Sequence, residues 1–417
     1  MTPAPTRALV AWAFYDWANS AVATVITSFV FSTYFTRAVA VSPELGTAQW
    51  SHAQSASALA IAVLAPILGA VADRGGRRKP WLAVFTLTSI VATALMWYVR
   101  PSPDYAILAL VLVAIGTLGF EFGTVFYNAM LPDLAPRAKL GRWSGWGWAL
   151  GYVGGLGALA VCLVGFVQTD RPWFGVGKED AANIRATTVV VAAWFAVFAL
   201  PLFLFTPDTP SRGTTMARAV REGLAMLAHT LRQLRRRPVI ARFLVAQMLY
   251  ADGLATLFAF GGIYAAGTFG MSFAEVIQFG IVLNVTAGLG AAAFAPLDDR
   301  FGAKRTIVLS LIGLILCGAV VLLARDKAMF WIAGSALGLF VGPAQAASRS
   351  MMARLAPPGE RAEMFGLLAL AGKATAFLGP ALLGWATLAF SSQRAGMATI
   401  LLFWIAGLAM VLRVRER

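Results

Sequence analysis

The chain is 417 residues long, 59% hydrophobic and only 13% charged, with a mean hydropathy of +0.73. A soluble fold of that make-up has too little polar surface to cover itself, which excludes the soluble globular classes and makes this a membrane protein. The net charge of +15 raises nucleic acid as a partner, an idea that the placement of the basic residues along the chain argues against.

A helix takes roughly 20 apolar residues to cross a bilayer core, so about twelve spans fill the chain and leave no room for a separate catalytic domain. Barrel strands would alternate polar and apolar residues, and these runs do not. In chain order the spans are predicted at 8–36, 53–72, 81–99, 105–130, 143–166, 187–206, 241–265, 273–295, 306–324, 329–347, 364–387 and 396–412. Met1 to Arg7 lacks the short apolar core and cleavage site of a signal peptide, and the first run extends from Ala8 to Phe35, so the first span is expected to stay attached. Cys162 and Cys317 each sit inside an apolar run without a CxxC or histidine neighbour, as packing residues do, and neither a disulfide nor a metal is implied.

The longest internal connection, 207–240, divides the spans six and six. The expected organisation is a six-helix bundle over 1–206, a linker over 207–240 and a second six-helix bundle over 241–417. Within the linker Ala217, Val220, Leu224, Leu227, Leu231 and Leu234 recur at steps of three and four, with Arg218, Arg221, Arg232 and Arg235 between them. That pattern predicts an amphipathic helix on an anionic inner leaflet, the alternative being a loosely ordered basic linker.

With the N-terminus in the cytoplasm, 25 of the 34 Lys and Arg fall inside and eight outside, while Lys373 lies within a span. The inner set includes Arg212, the cluster 74–79, Arg349, Arg354, Arg361, Arg413, Arg415 and Arg417. The bias places both termini in the cytoplasm of a cell, or inner, membrane and accounts for the basic charge without nucleic acid.

Gly69-Ala-Val-Ala-Asp73-Arg74-Gly75-Gly76-Arg77-Arg78-Lys79 forms a charged turn after the second span, and a degraded copy returns 226 positions later at Ala295-Pro-Leu-Asp-Asp299-Arg300-Phe301-Gly302-Ala303-Lys304-Arg305. Leu134-Ala135-Pro136 recurs as Leu355-Ala356-Pro357, an offset of 221, and Tyr15-Asp16 has a counterpart in Tyr250-Ala251-Asp252. Two halves related by an axis along the membrane normal suit a rocker whose central site opens first to one side and then to the other.

The charged turn resembles the signature loop of the major facilitator superfamily of secondary transporters. Phe14-Tyr15-Asp16-Trp17-Ala18-Asn19-Ser20-Ala21, Phe126-Tyr127-Asn128-Ala129-Met130-Leu131-Pro132, Leu249-Tyr250-Ala251-Asp252-Gly253 and Phe365-Gly366-Leu367-Leu368-Ala369-Leu370-Ala371-Gly372-Lys373 resemble its vacuole-effluxer-like branch, with Val22 standing where that branch has an aromatic residue. The resemblance implies twelve spans, no prosthetic group and export of small molecules, amino acids being the class moved by eukaryotic vacuolar members. A scaffold of this kind generally suffices as a monomer.

Charges inside spans cost roughly 2.5 kcal/mol or more at the bilayer centre and normally face a water-filled cavity or a partner. Asp16, Glu121, Asp252 and Lys373 are the four that stand out. Asp16 shares a helical face with Trp12, Asn19 and Ser20, a strip suited to an amine or hydroxyl, or else a tie to a neighbouring span. Glu121, with Asn128 about two turns further on, and Asp252 near mid-bilayer could carry a proton. Alternatively either acid pairs with Lys373, which could instead hold a cargo carboxylate. Tyr15 belongs with this substrate or ion set. The gating set is Asp73 near the dipole of a facing helix, plausibly the eleventh, Arg74, Arg77 and Arg78 reaching Asp133 or Glu363, and Asp299, Arg300 and Arg349 in the second half.

Gly147, Gly151 and Gly155 form a face suited to close helix packing, with Gly379-Pro380 in the related place. Gly177-Lys178-Glu179 and Gly372-Lys373-Ala374 lack the Ser or Thr of a phosphate loop, which argues against an ATP-driven pump. No nucleophile, metal or carboxylate set of an enzyme emerges, since His52 and His229 are the only histidines. The preferred reading is a secondary transporter of a small polar solute such as an amino acid, working without cofactor and with the proton as a candidate coupling ion. Drug or sugar export, and a non-transporting or lipid-handling role, are the alternatives.

Overall fold

The computed structural model describes residues 5–210, 213 and 215–414. Arg212, Arg415 and Arg417, counted among the inner basic residues, lie outside the described residues, as do the side chains of Leu231 and Arg235. Twelve helices among the described residues are long and apolar enough to cross a membrane. In chain order they are α1 Thr6–Val39, α2 Gln49–Gly75, α3 Lys79–Tyr98, α4 Pro103–Leu134, α5 Arg137–Val167, α6 Glu179–Phe205, α7 Pro238–Phe269, α8 Glu275–Phe301, α9 Ala303–Leu323, α10 Lys327–Leu355, α11 Arg361–Ala389 and α12 Gln393–Leu412.

Most run past their apolar stretches, because adding a turn to a formed helix satisfies one more backbone pair at little cost. The extension matters most in α10, which was expected to end at 347 and instead carries Arg349 and Arg354 inside the helix. Two spans are irregular. In α1 the winding loosens over Val22–Phe29 and Phe35–Val39, where the N–H groups of Val30 and Ala40 donate five residues back to Val25 and Phe35, at 2.9 Å each. In α11 the helix is interrupted between Ala374 and Leu378. Pro380 has no N–H for the carbonyl of Ala376 and crowds it, and the Leu378 N–H turns to Thr375 O at 2.8 Å.

The first six spans meet the last six chiefly along two crossings, α2 with α11 and α5 with α8. Both depend on missing side chains. A Cβ on Gly366 would come within 2.7 Å of Pro66 Cα, and one on Gly145 within 3.0 Å of Ala295 Cα. Gly145 and Gly366 are 221 positions apart, so the duplication seen in the sequence is also a duplication of packing contacts. The two charged turns leave α2 and α8 through Gly76 (φ 88°) and Gly302 (φ 91°), a backbone region that a side chain would strain.

The linker carries a helix, Met216–Gln233. It lies against the end of α2, where a Cβ on Gly223 would reach to 2.8 Å from Val71 N, and Ala219, Leu227 and Thr230 of the same helix are buried. Of the described residues of the expected apolar stripe Leu227 is buried, while Ala217, Val220 and Leu224 stay exposed, and a glycine allows the closer approach of the two backbones.

Gly366→Val is expected to push α11 away from α2 and to cost about 1–3 kcal/mol by overpacking. The check is a lower thermal unfolding midpoint for the purified protein, and an unchanged midpoint would count against the crossing.

Candidate functional site

A cavity of about 520 Å³ lies between the two sets of spans. Its floor is Asp16, Asn128 and Arg349, its middle carries Asn19, Tyr152 and Gln345, and its walls continue to Phe29, Phe279 and Phe330 towards the face opposite the chain termini. Tyr152 donates its hydroxyl to Gln345 Oε1 at 2.6 Å, joining α5 to α10 across the cavity.

The floor is built around Arg349, a residue of α10 whose polar partners all come from the first six spans. Its Nη1 donates to Asp16 Oδ2 at 2.8 Å and to Asn128 Oδ1 at 3.3 Å, its Nε donates to Ser144 Oγ at 2.9 Å, and its Nη2 donates to the Ser144 carbonyl. The guanidinium also lies 4.9 Å from the ring of Trp12 and 5.7 Å from those of Tyr127 and Trp148, an aromatic cage that favours a cation. Trp12 is held for this by stacking on Tyr127 at 4.5 Å and by donating Nε1–H to the Tyr127 carbonyl at 3.0 Å. Gly147 leaves the room, since a Cβ there would stand 2.7 Å from Asp16 Oδ2 and 2.8 Å from Arg349 Nη2. The other glycines of that face, Gly151 and Gly155, bring α5 against Ser20 of α1.

Sequence reasoning counted Arg349 as an inner-face charge and as a gate, and so missed it as the partner of Asp16. A signal was present: Gln345 and Arg349 are four apart on an otherwise small and apolar stretch, which puts both on one helix face.

The remaining residues of the substrate or ion set divide. Tyr15 lies in the core of the first six spans, sharing a hydrogen bond of 2.6 Å with Thr86 Oγ1. Glu121 and Lys373 form an ion pair at 2.8 Å in a second crevice, of about 580 Å³, lined also by Gln54, Thr117 and Phe377. Asp252 does not line the central cavity, and accepts the Gly379 N–H of α11 at 3.3 Å. Three of the four intramembrane charges picked out from the sequence thus gather about the interruption in α11, and only Asp16 is in the cavity.

A layer of ion pairs and hydrogen bonds lies beneath the cavity floor, on the face that carries both termini, and three of its carboxylates, Asp73, Asp133 and Asp299, reach from one set to the other. Asp73 Oδ2 accepts the Glu363 N–H at 2.9 Å in the first turn of α11, and Asp73 Oδ1 takes Arg78 Nη2 at 3.2 Å. Asp133 receives both Arg78 and Arg361. In the second half Asp299 Oδ1 accepts the Arg142 N–H at 3.0 Å at the start of α5, and Arg354 pairs with Asp298 at 2.8 Å. Arg354 stands 221 positions after Asp133, so the charge at that place is reversed between the halves. Glu363 meets Asp73 through its backbone N–H, and not as the carboxylate acceptor expected for the arginines. Arg77 and Arg300 are exposed, the latter over the Phe301 ring at 5.3 Å, and Arg74 is half-buried.

The family model described as vacuole effluxer Atg22 like matches residues 50–143 and 137–417. This chain belongs to that family. The match begins at residue 50, beyond the first-span string around Asp16. Among curated relatives, an uncharacterized MFS-type transporter of Bacillus subtilis (strain 168), YxiO, is 27% identical over 404 residues, covering 94% of this chain and 92% of that protein. Autophagy-related protein 22 of Coccidioides immitis (strain RS) is 23% identical over 421 residues, covering 82% of this chain and 68% of the relative. The MFS proton:xylose symporter XylE superposes with a TM-score of 0.74 at 14% identity, covering 99% of this chain and 96% of that one, a likeness of fold alone. The Atg22-like chain is a multi-pass membrane transporter with the major facilitator fold, and not an enzyme.

Removing Arg349 alone (Arg349→Ala) leaves Asp16 at the cavity floor without its counter-charge and is expected to cost about 1.5–3 kcal/mol. The double variant with Asp16→Asn should recover part of that loss, and a thermal-unfolding double-mutant cycle measures the coupling. Strictly additive losses would show that the pair does not act as a unit.

Proposed function

We propose that this transporter moves small zwitterionic solutes, amino acids or related metabolites, by alternating access between its two six-span bundles. The observation that carries the reading is the Arg349–Asp16 pair at the cavity floor. A free amino acid brings one carboxylate and one ammonium, and can replace the internal pair with two matched pairs. Its carboxylate would take the guanidinium fork and its amine would take Asp16. Arg349 comes from one bundle and Asp16 from the other, so cargo that separates them also loosens the tie between bundles. Differential affinity for the two states is what a transporter needs to couple binding to movement.

The excess of basic residues on the terminus face supports placing that face in the cytoplasm of a cell membrane. With the bonds of Asp73, Asp133 and Asp299 to the opposite bundle in place, the cavity is shut towards the cytoplasm. Those bonds break when it opens there. Export fits a family described as effluxers, a cation gradient would drive it, and one chain contains the whole cavity and so suffices as a monomer. The aromatic upper wall of Phe29, Phe279 and Phe330 favours a second reading, export of an amphipathic organic molecule whose apolar part would lie there.

The purified protein is screened by thermal shift against amino acids, peptides, sugars and amphipathic drugs, and hits are tested for flux in proteoliposomes with and without an ion gradient. Amino acids are expected to stabilise the protein and to move. Arg349→Lys and Asp16→Asn should each reduce flux roughly ten- to a hundredfold, the worth of one charge-assisted hydrogen bond. A screen in which only amphipathic drugs bind and move would replace the first reading with the second.

A further inference from the structure

Asp252 has no part in the cargo reading, yet it is buried to 1% exposure, as is Thr256 one turn further along the same face of α7. One carboxylate oxygen, Oδ2, takes the Gly379 N–H at 3.3 Å. Gly379 lies in the first turn of the second segment of α11, where the helix dipole also favours negative charge. The other carboxylate oxygen, Oδ1, and Thr256 Oγ1 are both buried and meet no hydrogen-bond partner among the described residues. Both oxygens border Gly379: a Cβ there would come within 2.8 Å of Asp252 Oδ1 and would collide with Thr256 Oγ1.

A buried carboxyl group with an idle oxygen, beside an equally buried idle hydroxyl, calls for a partner. Lys373, the lysine of the same span, is already bound to Glu121 at 2.8 Å. Among the described residues no group of three or more His, Cys, Asp or Glu is gathered that could hold a metal ion, so a divalent or transition metal lacks its ligands. What the place offers is a carboxyl group, a hydroxyl and the nearby interruption of α11, where Pro380 leaves the Ala376 carbonyl without its usual donor. Hard oxygen donors with a single net charge match a small monovalent cation.

We propose that Asp252 Oδ1 and Thr256 Oγ1 are ligands of a sodium site between α7 and the second segment of α11, completed by backbone carbonyls freed at the interruption. The site exists only while that segment rests on α7, so ion occupancy favours one arrangement of α11 over another. Its use as the coupling site depends on the transport reading given above, whereas ion binding itself does not.

The test is thermal unfolding of the purified full-length protein in NaCl titrated against choline chloride at constant ionic strength, with a KCl series beside it and no cargo present. The midpoint should rise saturably with Na⁺ and stay flat with K⁺. Asp252→Asn and Thr256→Val should each lose the rise, and Glu222→Gln, on the linker helix, should keep it. If Asp252→Asn does not fold, the Thr256→Val protein and direct ²²Na⁺ binding decide the matter. A midpoint indifferent to Na⁺, or a rise that survives both substitutions, overturns the site. So does a response of Asp252 to pH alone, which would make it a proton site. A sodium shift without any amino-acid response leaves the site standing and removes only the cargo reading.

Discussion

A guanidinium inside a membrane protein must find all its partners within the protein, and Arg349 finds them on the opposite set of six spans. Lipid offers neither a hydrogen-bond acceptor nor a counter-charge, so the cost of burying this group is met by Asp16, Asn128 and Ser144 together with the faces of Trp12, Tyr127 and Trp148. Much of the surrounding sequence follows from that need. Gly147 has no side chain because the ion pair occupies the space, and Trp12 is fixed against Tyr127 so that its ring can cover the cation. The position of the cavity floor is the position at which this one side chain crosses from one bundle to the other.

The bonds beneath the floor show how a duplicated chain can be symmetric in backbone and asymmetric in charge. Asp73 meets the start of α11 and Asp299 meets the start of α5 through backbone N–H groups, the same interaction repeated at offsets of 226 and 221. Helix starts are the same wherever they occur, so a carboxylate placed against one is conserved by geometry without regard to the side chain it meets. The side-chain partners are under no such constraint. Asp133 in one half and Arg354 in the other occupy equivalent places with opposite sign, each answered by the charge it needs. A loop that looks degraded as a string of letters keeps its interaction.

The interruption of α11 organises the other intramembrane charges. Pro380 breaks the hydrogen-bond ladder, and the two ends so exposed attract opposite charges: Asp252 at the start of the second segment and Lys373 at the end of the first. Lys373 then reaches Glu121 on α4, while Tyr152, 221 positions earlier, reaches Gln345 on α10. These are related crossings of the two bundles, charged on one side and neutral on the other. In the transport reading both are contacts between the bundles that change as the bundles rock.

Local sequence carried a great deal. Apolar runs of bilayer length specified twelve helices, because a backbone in lipid has to satisfy its hydrogen bonds within each segment. The repeated turn and the Leu-Ala-Pro repeats disclosed the two halves, and the motif strings pointed to the family. The rare charges within spans marked Asp16, Glu121, Asp252 and Lys373, since each is too costly to be there by accident. Their partners were not legible. Arg349 lies 333 positions from Asp16, Lys373 lies 252 from Glu121, and Gly379 lies 127 from Asp252. Which charge faces which depends on how far each helix extends, on its rotation, and on the glycines that set the spacing between helices. These are properties of packed surfaces, and no single segment contains them. The sequence by itself determined that buried charges had to be paired, and only the tertiary structure decided the pairs.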